Sequence, residues 1–307
     1  MVKHYTNFNI KTLHRGSIIL IGNFDGLHLG HQKLFQLAQS YKKKYNLKIG
    51  VVNFDPMPKM FFNKKLKNFR LSNIDQKIKL LSNLKVDFVI TKKFDKKFSK
   101  TKALNFIIQI LNKKLNSKFI FVSNNFRFGN KREGNVKLLI NYEKLFNYKV
   151  VKPEPLIRSR KIVSSSLIRN LLEKGFLDKA NNLLNRNWTI QGIVEKGRQL
   201  GKKIGFPTCN IDIKDYVLAQ PGVYAVRVLR KKNQKKLSGI ANLGYRPTFN
   251  QKKILLEVHL FNFSGNLYNK LLSVQFLKFI RKEKKFKNVD QLRKQIKSDL
   301  NIAKKTK

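Results

Sequence analysis

Cysteine occurs once in the 307 residues, at Cys209. That excludes an intramolecular disulfide framework and a cysteine-rich zinc module, and it suits a reducing, cytoplasmic setting. Long apolar runs are missing too. No stretch nears the roughly 20 continuous residues that cross a bilayer, and the start, Met1-Val2-Lys3-His4-Tyr5-Thr6-Asn7, lacks the apolar core of a secretory leader. A cytoplasmic protein with no membrane partner is expected. Acidic residues are the third shortage: 17 Asp and Glu face 66 Lys and Arg, a formal charge of +49.

Such an imbalance ordinarily points to nucleic acid or another polyanion. Here the lysines are scattered, as at Lys42-Lys43-Lys44, Lys113-Lys114, Lys231-Lys232 and Lys304-Lys305, and they share the chain with abundant Asn, Ile and Phe. A binding surface concentrates its basic residues, whereas compositional drift spreads them. No specific nucleic-acid partner is expected.

The length is enough for two domains. Up to about residue 185, short apolar runs alternate with helical periodicity. Ser17–Ile21, Lys48–Phe54, Val86–Ile90 and Phe119–Val122 read as strands, and Gln32–Tyr45, Ile74–Leu84 and Thr101–Leu115 as helices. This is the pattern of a Rossmann-like, doubly wound parallel sheet. From Trp188 onward the period becomes two, over Thr189–Glu195, Val223–Leu229, Ser238–Leu243, Ile254–Phe261 and Val274–Ile280, with Gly, Asn and Pro in the turns. An all-β barrel or sandwich follows, closed by a helix with Val289, Leu292, Ile296 and Leu300 on one face behind an Asn288 cap. The predicted domains are 1–185 and 186–307.

The densest signal is Gly22-Asn23-Phe24-Asp25-Gly26-Leu27-His28-Leu29-Gly30-His31, at a strand-to-helix junction. Helix N-termini present unpaired N–H groups and a positive dipole end, so phosphate is favoured there. His28 and His31 share one helical face. The His28-Leu29-Gly30-His31 core resembles the nucleotidyltransferase superfamily. Two further segments lie at predicted strand ends, where open α/β sheets bind ligands: Asn53-Phe54-Asp55-Pro56-Met57-Pro58, and Asn124-Asn125-Phe126-Arg127-Phe128-Gly129. Their aromatics suit a flat ring, or plain packing. Ser164-Ser165-Ser166, with Arg169 one turn on, reads as a second phosphate clamp or as a simple helix cap.

In the second half, Gly197, Gly201 and Gly205 lead into Phe206-Pro207-Thr208-Cys209-Asn210. A glycine loop can wrap phosphates, and Thr208 and Asn210 offer oxygens suited to Mg²⁺ carried by ATP. On Ile254–Leu260, strand alternation sends Leu256, Val258 and Leu260 one way and Glu257 with His259 the other. Glu257 is then a candidate general base.

Taken together, these motifs are similar to the bacterial bifunctional riboflavin kinase/FMN adenylyltransferase family, the FAD synthetases. Gly205-Phe206-Pro207-Thr208, Gly222-Val223-Tyr224, Asn242 with Arg246-Pro247-Thr248-Phe249, Leu256-Glu257-Val258-His259 and Arg281 with Glu283, Lys285 and Phe286 carry the C-terminal half of the resemblance. Met57 stands where His is frequent, Ser166 where Thr is usual and Lys202 where Arg is common. The resemblance implies riboflavin, FMN and ATP as substrates, Mg²⁺ accompanying ATP, and no tightly bound metal. It implies catalytic roles for His28, His31, Arg169 and Glu257. ATP contacts would come from Gly22, Asn23, Phe24, Gly30, Ser164, Ser165, Gly197, Gly201, Gly205 and Thr208, and flavin contacts from Phe54, Asp55, Pro56, Asn125, Phe126, Arg127 and Phe128. The alternatives are a nucleotidyltransferase for another acceptor, an enzyme keeping one of the two activities, and a basic nucleic-acid-binding protein.

Overall fold

A computed structural model describes residues 2–66, 68–197, 201, 204–213, 216–230, 236–247 and 252–306. Packing divides the chain into a first unit, Met1–Leu66 with Ile74–Ser164, and a second, Lys67–Asn73 with Ser165–Lys307.

The first unit contains strands β1 (Lys3–Tyr5), β2 (Ile18–Ile21), β3 (Ile49–Asp55), β4 (Phe88–Lys93) and β5 (Phe119–Phe121). A short pair, β6 (Arg127–Phe128) and β7 (Gly134–Asn135), precedes β8 (Lys149–Val151) and the ribbon β9 (Ile157–Arg158) with β10 (Lys161–Ile162). Its helices are α1 (Leu29–Tyr45), α2 (Pro58–Phe62), α3 (Ile74–Asn83), α4 (Lys96–Ser99), α5 (Ala103–Asn105), α6 (Val136–Asn141) and α7 (Glu143–Phe146). The main sheet runs β1-β4-β3-β2-β5-β8, with parallel pairing throughout. This is the expected doubly wound sheet. Continuous apolar runs form its central strands because both faces are covered. On one face Ile18, Leu20, Ile49 and Val51 pack with Phe35 of α1 and Leu81 of α3. On the other, Ile19, Ile21 and Val52 pack with Ile107 and Leu111.

The helix predicted over 101–115 is wound differently: α5 passes into a π-helical stretch, Phe106–Lys114. Phe106, Ile107, Ile110 and Leu111 are all buried there and form its inward stripe. The strand order reverses between β2 and β5 while all strands keep one direction, so the loops after β2, β3 and β5 open on one edge.

The second unit begins with α8 (Ser165–Glu173) and α9 (Leu177–Leu184). A closed barrel follows, in the order β11 (Thr189–Glu195), β12 (Cys209–Asp212), β15 (Lys252–Leu260), β14 (Lys236–Pro247), β13 (Gly222–Arg230) and β16 (Leu271–Lys282). The chain ends in α10 (Val289–Lys305). Trp188, the lone tryptophan, is buried against Phe276 at 4.8 Å, and its indole N–H donates to the Leu71 carbonyl at 3.1 Å. Leu71, Ile168, Leu172 and Leu184 join Val226, Leu256, Val258 and Phe276 in one core, so α8 and α9 cap the barrel. On the outer wall, Ala303 and Leu300 of α10 lie against Val223, Ala225 and Ile240. Asn288 caps α10, its side-chain oxygen accepting from Gln291 N–H at 3.0 Å.

Candidate functional site

Each unit holds a cluster of chemistry-bearing residues. In the first, β2 ends at Ile21, and the chain turns through Phe24 at φ 46°, Gly26 at φ 76° and Leu27 at φ 40° before α1 begins. Two non-glycine residues in the left-handed region cost free energy, and such strain collects at ligand-binding loops. His28 is the N-cap of α1. Its Nδ1 accepts from His31 N–H at 3.4 Å, which leaves the ring proton on Nε2. The His28 and His31 rings stack with centroids 3.7 Å apart. A Cβ on Gly30 would lie 3.2 Å from both the His28 ring and the Val163 carbonyl, so Gly30 permits this packing.

Burial, the neighbouring His28 and the Lys77 ammonium hold the His31 pKa well below its ordinary value. At neutral pH His31 is an uncharged imidazole. Its Nδ1 is buried without a hydrogen-bond partner, as are Asn23 Oδ1 and both amide atoms of Asn53. Buried polar atoms are normally satisfied, so this group at the sheet's C-terminal edge suits a polar ligand.

The predicted flavin residues fall at the C-terminal end of β3 and in and beside β6. Phe54 packs beside Phe94 and Phe98, with centroids at 5.9 and 5.5 Å, and Asp55-Pro56 is a cis peptide. Phe126 and Phe128 stack on each other at 5.4 Å, and Phe128 also meets Phe106. Asn125 and Arg127 are exposed, with Asn125 Oδ1 accepting from the Ser123 hydroxyl at 2.9 Å. Met57 is buried.

Ser164 closes the first unit, whereas Ser165, which opens α8, and Arg169 belong to the second. Arg169 is buried; its Nε donates to the Phe69 carbonyl at 2.7 Å and its guanidinium lies 3.7 Å from the Phe69 ring centroid. Both Phe69 contacts lie within the second unit.

The barrel carries the other cluster. Strand pairing sets Asn210 opposite Glu257, Glu257 opposite Asn242, Asn242 opposite Val223, and Val223 opposite Arg281. Directly opposed residues share a face of the sheet. Leu256 and Val258 belong to the interior core, so this row faces outward, as the alternation on β15 predicts. A cavity of about 830 Å³ lies over it, beneath α10. Glu257, Asn242, His259 and Arg281 line it from the wall, Gly201 and Thr208 from the loop ahead of β12, and Leu292, Ile296 and Asp299 from α10.

His259 Nδ1 donates to the Pro207 carbonyl at 2.8 Å, pinning that loop to β15. Asn210 is buried with its Oδ1 unpartnered among the described residues, and a Cβ on Gly197 would fall 1.6 Å from the Asn210 amide nitrogen. Gly197 therefore makes room for Asn210. Gly205 sits at φ 88°. Arg281 and Asp299 form an ion pair at 2.8 Å. Lys202, Thr248 and Phe249 lie outside the described residues, as do the side chains of Arg246 and Pro247.

Two polar residues of interest carry no role in the sequence reading. Lys77 is buried on α3, at a position that the stripe through Ile74 and Leu81 assigns to an apolar side chain. Asn53 ends the apolar run of β3. In both, a polar residue at an apolar position was the available signal. No group of three or more His, Cys, Asp or Glu that could hold a metal ion occurs among the described residues.

Comparison with known proteins assigns a family to each half. Residues 10–167 match the family described as FAD synthetase, and 184–307 the family described as riboflavin kinase. The bifunctional riboflavin kinase/FMN adenylyltransferase of Buchnera aphidicola subsp. Schizaphis graminum is 41% identical over 97% of this chain and 96% of its own. That of Haemophilus influenzae is 40% identical over 96% of each. A crystal structure described as a macrolide-efflux protein from Streptococcus pneumoniae superposes with a TM-score of 0.88 at 28% identity, covering 100% of this chain and 99% of that one. Among the described residues, no helix is long and apolar enough to cross a membrane.

Proposed function

Because this chain belongs to the bifunctional riboflavin kinase/FMN adenylyltransferase family, we propose that it makes flavin cofactors in two consecutive ATP-dependent steps, one on each half. The barrel transfers the γ-phosphoryl group of ATP to the terminal ribityl hydroxyl of riboflavin, giving FMN and ADP. The parallel-sheet unit joins the FMN phosphate to the α-phosphorus of a second ATP, giving FAD and pyrophosphate. One observation carries this reading: each unit has its own buried polar atoms without protein partners, Asn23, His31 and Asn53 in the first and Asn210 in the second, beside the residues predicted for its reaction.

In the barrel, Glu257 accepts the proton of the riboflavin hydroxyl as it attacks phosphorus. The cavity beneath α10 takes the ring system, with Leu292 and Ile296 as apolar wall. Thr208 and the unpartnered Asn210 Oδ1 are neutral oxygens of the kind Mg²⁺ accepts together with phosphate, so these two residues would hold the ion that enters with ATP. When bound, that ion neutralises phosphate charge.

In the first unit, phosphoryl charge is met by the N–H groups at the start of α1 and by His28 Nε2–H, with neutral His31 beside it. Little covalent chemistry falls to side chains in either step, so positioning and charge neutralisation dominate. Phe54, Phe126 and Phe128 form the aromatic wall proposed for the flavin. A phosphate contact by Arg169 is supported by the resemblance alone. The free thiol of Cys209 and the use of ATP fit a cytoplasmic location.

The decisive assay supplies purified protein with riboflavin and Mg²⁺-ATP and separates FMN from FAD over time. FMN should rise first and then be consumed into FAD. Protein that forms neither product, or that forms FMN and never FAD, overturns the bifunctional reading.

A further inference from the structure

Asn53 is fully buried, at 0% exposure, and neither its Oδ1 nor its Nδ2 has a hydrogen-bond partner among the described residues. Alternation along β3 places it with Ile49 and Val51, on the face covered by α1 and α3, while Val52 turns to the opposite core. Ile21 is opposite Val52, and Gly22 N–H donates to the Val52 carbonyl at 3.1 Å. Asn53 is thus level with the first residue of the loop that leads to His28 and His31. A valine or leucine would complete the apolar run at no cost in polar groups. An amide buried with both ends unmade is unfavourable unless something else satisfies it.

The orphaned atoms restrict what that can be. Asn53 contributes one acceptor and two N–H donors, Asn23 an acceptor and His31 a ring nitrogen. Bare phosphate would satisfy the donors and leave the amide oxygens facing phosphoryl oxygens. The ligand must therefore bring hydroxyl donors next to its phosphate.

We propose that Asn53 is a substrate-binding residue of the adenylylating site, its amide bridging the phosphate and a nearby hydroxyl of a polyhydroxylated phosphate ester. Nδ2 donates to a phosphoryl oxygen and Oδ1 accepts from the hydroxyl. The inference rests on the function proposed above. It has two possible sources, the ribityl phosphate of FMN and the ribose phosphate of ATP.

The test compares full-length parent, Asn53→Leu and Asn53→Asp. FAD formation is measured with FMN and ATP varied separately, riboflavin phosphorylation serves as internal control, and melting is followed without ligand and with FMN or ATP. Asn53→Leu keeps the branched shape and heavy-atom count and removes an unsatisfied buried amide, so it should melt at or above the parent temperature. Its KM for one substrate should rise about 10- to 100-fold, and the melting shift given by that substrate should shrink. The substrate whose KM moves identifies the source. Asn53→Asp places a carboxylate against phosphate and should bind more weakly still. Riboflavin phosphorylation should be unchanged.

A leucine variant that melts lower than the parent yet keeps the parent KM for both substrates would overturn the inference, since the amide would then be serving the fold. If that variant does not fold, Asn53→Ser replaces it, and an unchanged KM for both substrates has the same force. A parent protein that forms no FAD from FMN and ATP fails the functional reading instead, and the ligand-induced melting shifts still decide whether Asn53 binds either compound.

Discussion

Replacing Asp299 with alanine tests how the second unit holds its cavity together. The buried Asp299 carboxylate accepts from Arg281 Nε at 2.9 Å and from Gln295 Nε2 at 2.9 Å, and it pairs with Arg281 Nη2 at 2.8 Å. Arg281 comes from the barrel wall and Asp299 from α10, so the pair fixes the helix over the cavity. Stripping the partner from a fully buried cation costs about 3–5 kcal/mol. Arg281 is not fully buried: its side chain is 16% exposed, Nη1 still donates to the Lys282 carbonyl at 3.0 Å, and the Phe286 ring lies 5.8 Å away. A cost of about 2–3 kcal/mol is therefore expected.

At about 2–4 °C per kcal/mol for a unit of this size, the barrel should melt roughly 4–12 °C lower. Leu292 and Ile296 share the cavity wall with Asp299, so the KM for riboflavin should rise, while adenylylation of supplied FMN is unaffected. Calorimetry and the two activity assays measure both effects. The double variant Arg281→Met with Asp299→Leu removes both charges and should recover most of the lost stability. If Asp299→Ala melts within a degree of the parent and phosphorylates riboflavin with the same kcat/KM, the ion pair contributes nothing and the account of α10 is wrong.

Glu257→Gln keeps shape but cannot take a proton, so riboflavin phosphorylation should fall by about 10² to 10⁴ with little change in melting, and FAD formation from FMN should persist; a variant working near the parent rate removes Glu257 from the mechanism. His28→Ala and His31→Ala should abolish FAD formation while riboflavin phosphorylation continues, and loss of both activities in a folded variant would count against two separate sites. Because the folded-state pKa of His31 lies well below its ordinary 6.5, the unfolded chain binds more protons below that pH. This contribution to stability is complete above about pH 6.5 and is lost as pH falls through the folded pKa, with a slope of up to about 1.4 kcal/mol per pH unit. His31→Asn should flatten that slope in urea titrations between about pH 6.5 and 5, and an unchanged slope would refute the assignment. Binding to RNA should be weak, indifferent to sequence and steeply reduced by salt; nanomolar binding to one RNA at physiological salt would contradict diffuse charge as its cause.

The central strands were legible because burial on both faces demands unbroken apolar runs, as in Ile18–Ile21 and Ile49–Val52. The edge strands β1 and β8 were not, for each has three residues and carries a lysine. Cys209–Asp212 escaped notice as a strand because its outward positions are polar and its length is four residues. The packing of Lys67–Asn73 with the barrel unit depends on contacts such as Trp188 to Leu71, more than 100 residues apart, and local periodicity carries no trace of these. Candidate site residues on motifs, among them His28, His31, Thr208 and Glu257, stand out in the sequence because their chemistry is unusual for a strand end or a loop. Lys77 and Asn53 were harder. Each interrupts an apolar stripe by a single residue, which sequence alone cannot distinguish from a solvent-facing position.

The extreme basicity gains a physical meaning from where the remaining acids sit. Asp87 accepts from Lys42 at 2.6 Å and from Ile49 N–H at 2.7 Å, Glu133 accepts from Ala103 N–H at 2.6 Å, and Glu143 accepts from Val150 N–H at 2.7 Å. Asp95 caps α4 through Phe98 N–H at 2.8 Å, and Asp299 anchors α10. These carboxylates satisfy backbone donors or buried cations, tasks in which neither an asparagine nor a lysine can supply the same charge. Replacing any of these acids by asparagine or lysine would strand a backbone N–H or weaken an ion pair. In a chain with 17 acids among 307 residues, a carboxylate is therefore informative by its presence. Glu257, between the buried Leu256 and Val258 and facing a cavity, weighs more toward catalysis here than the same residue would on a strand of ordinary composition.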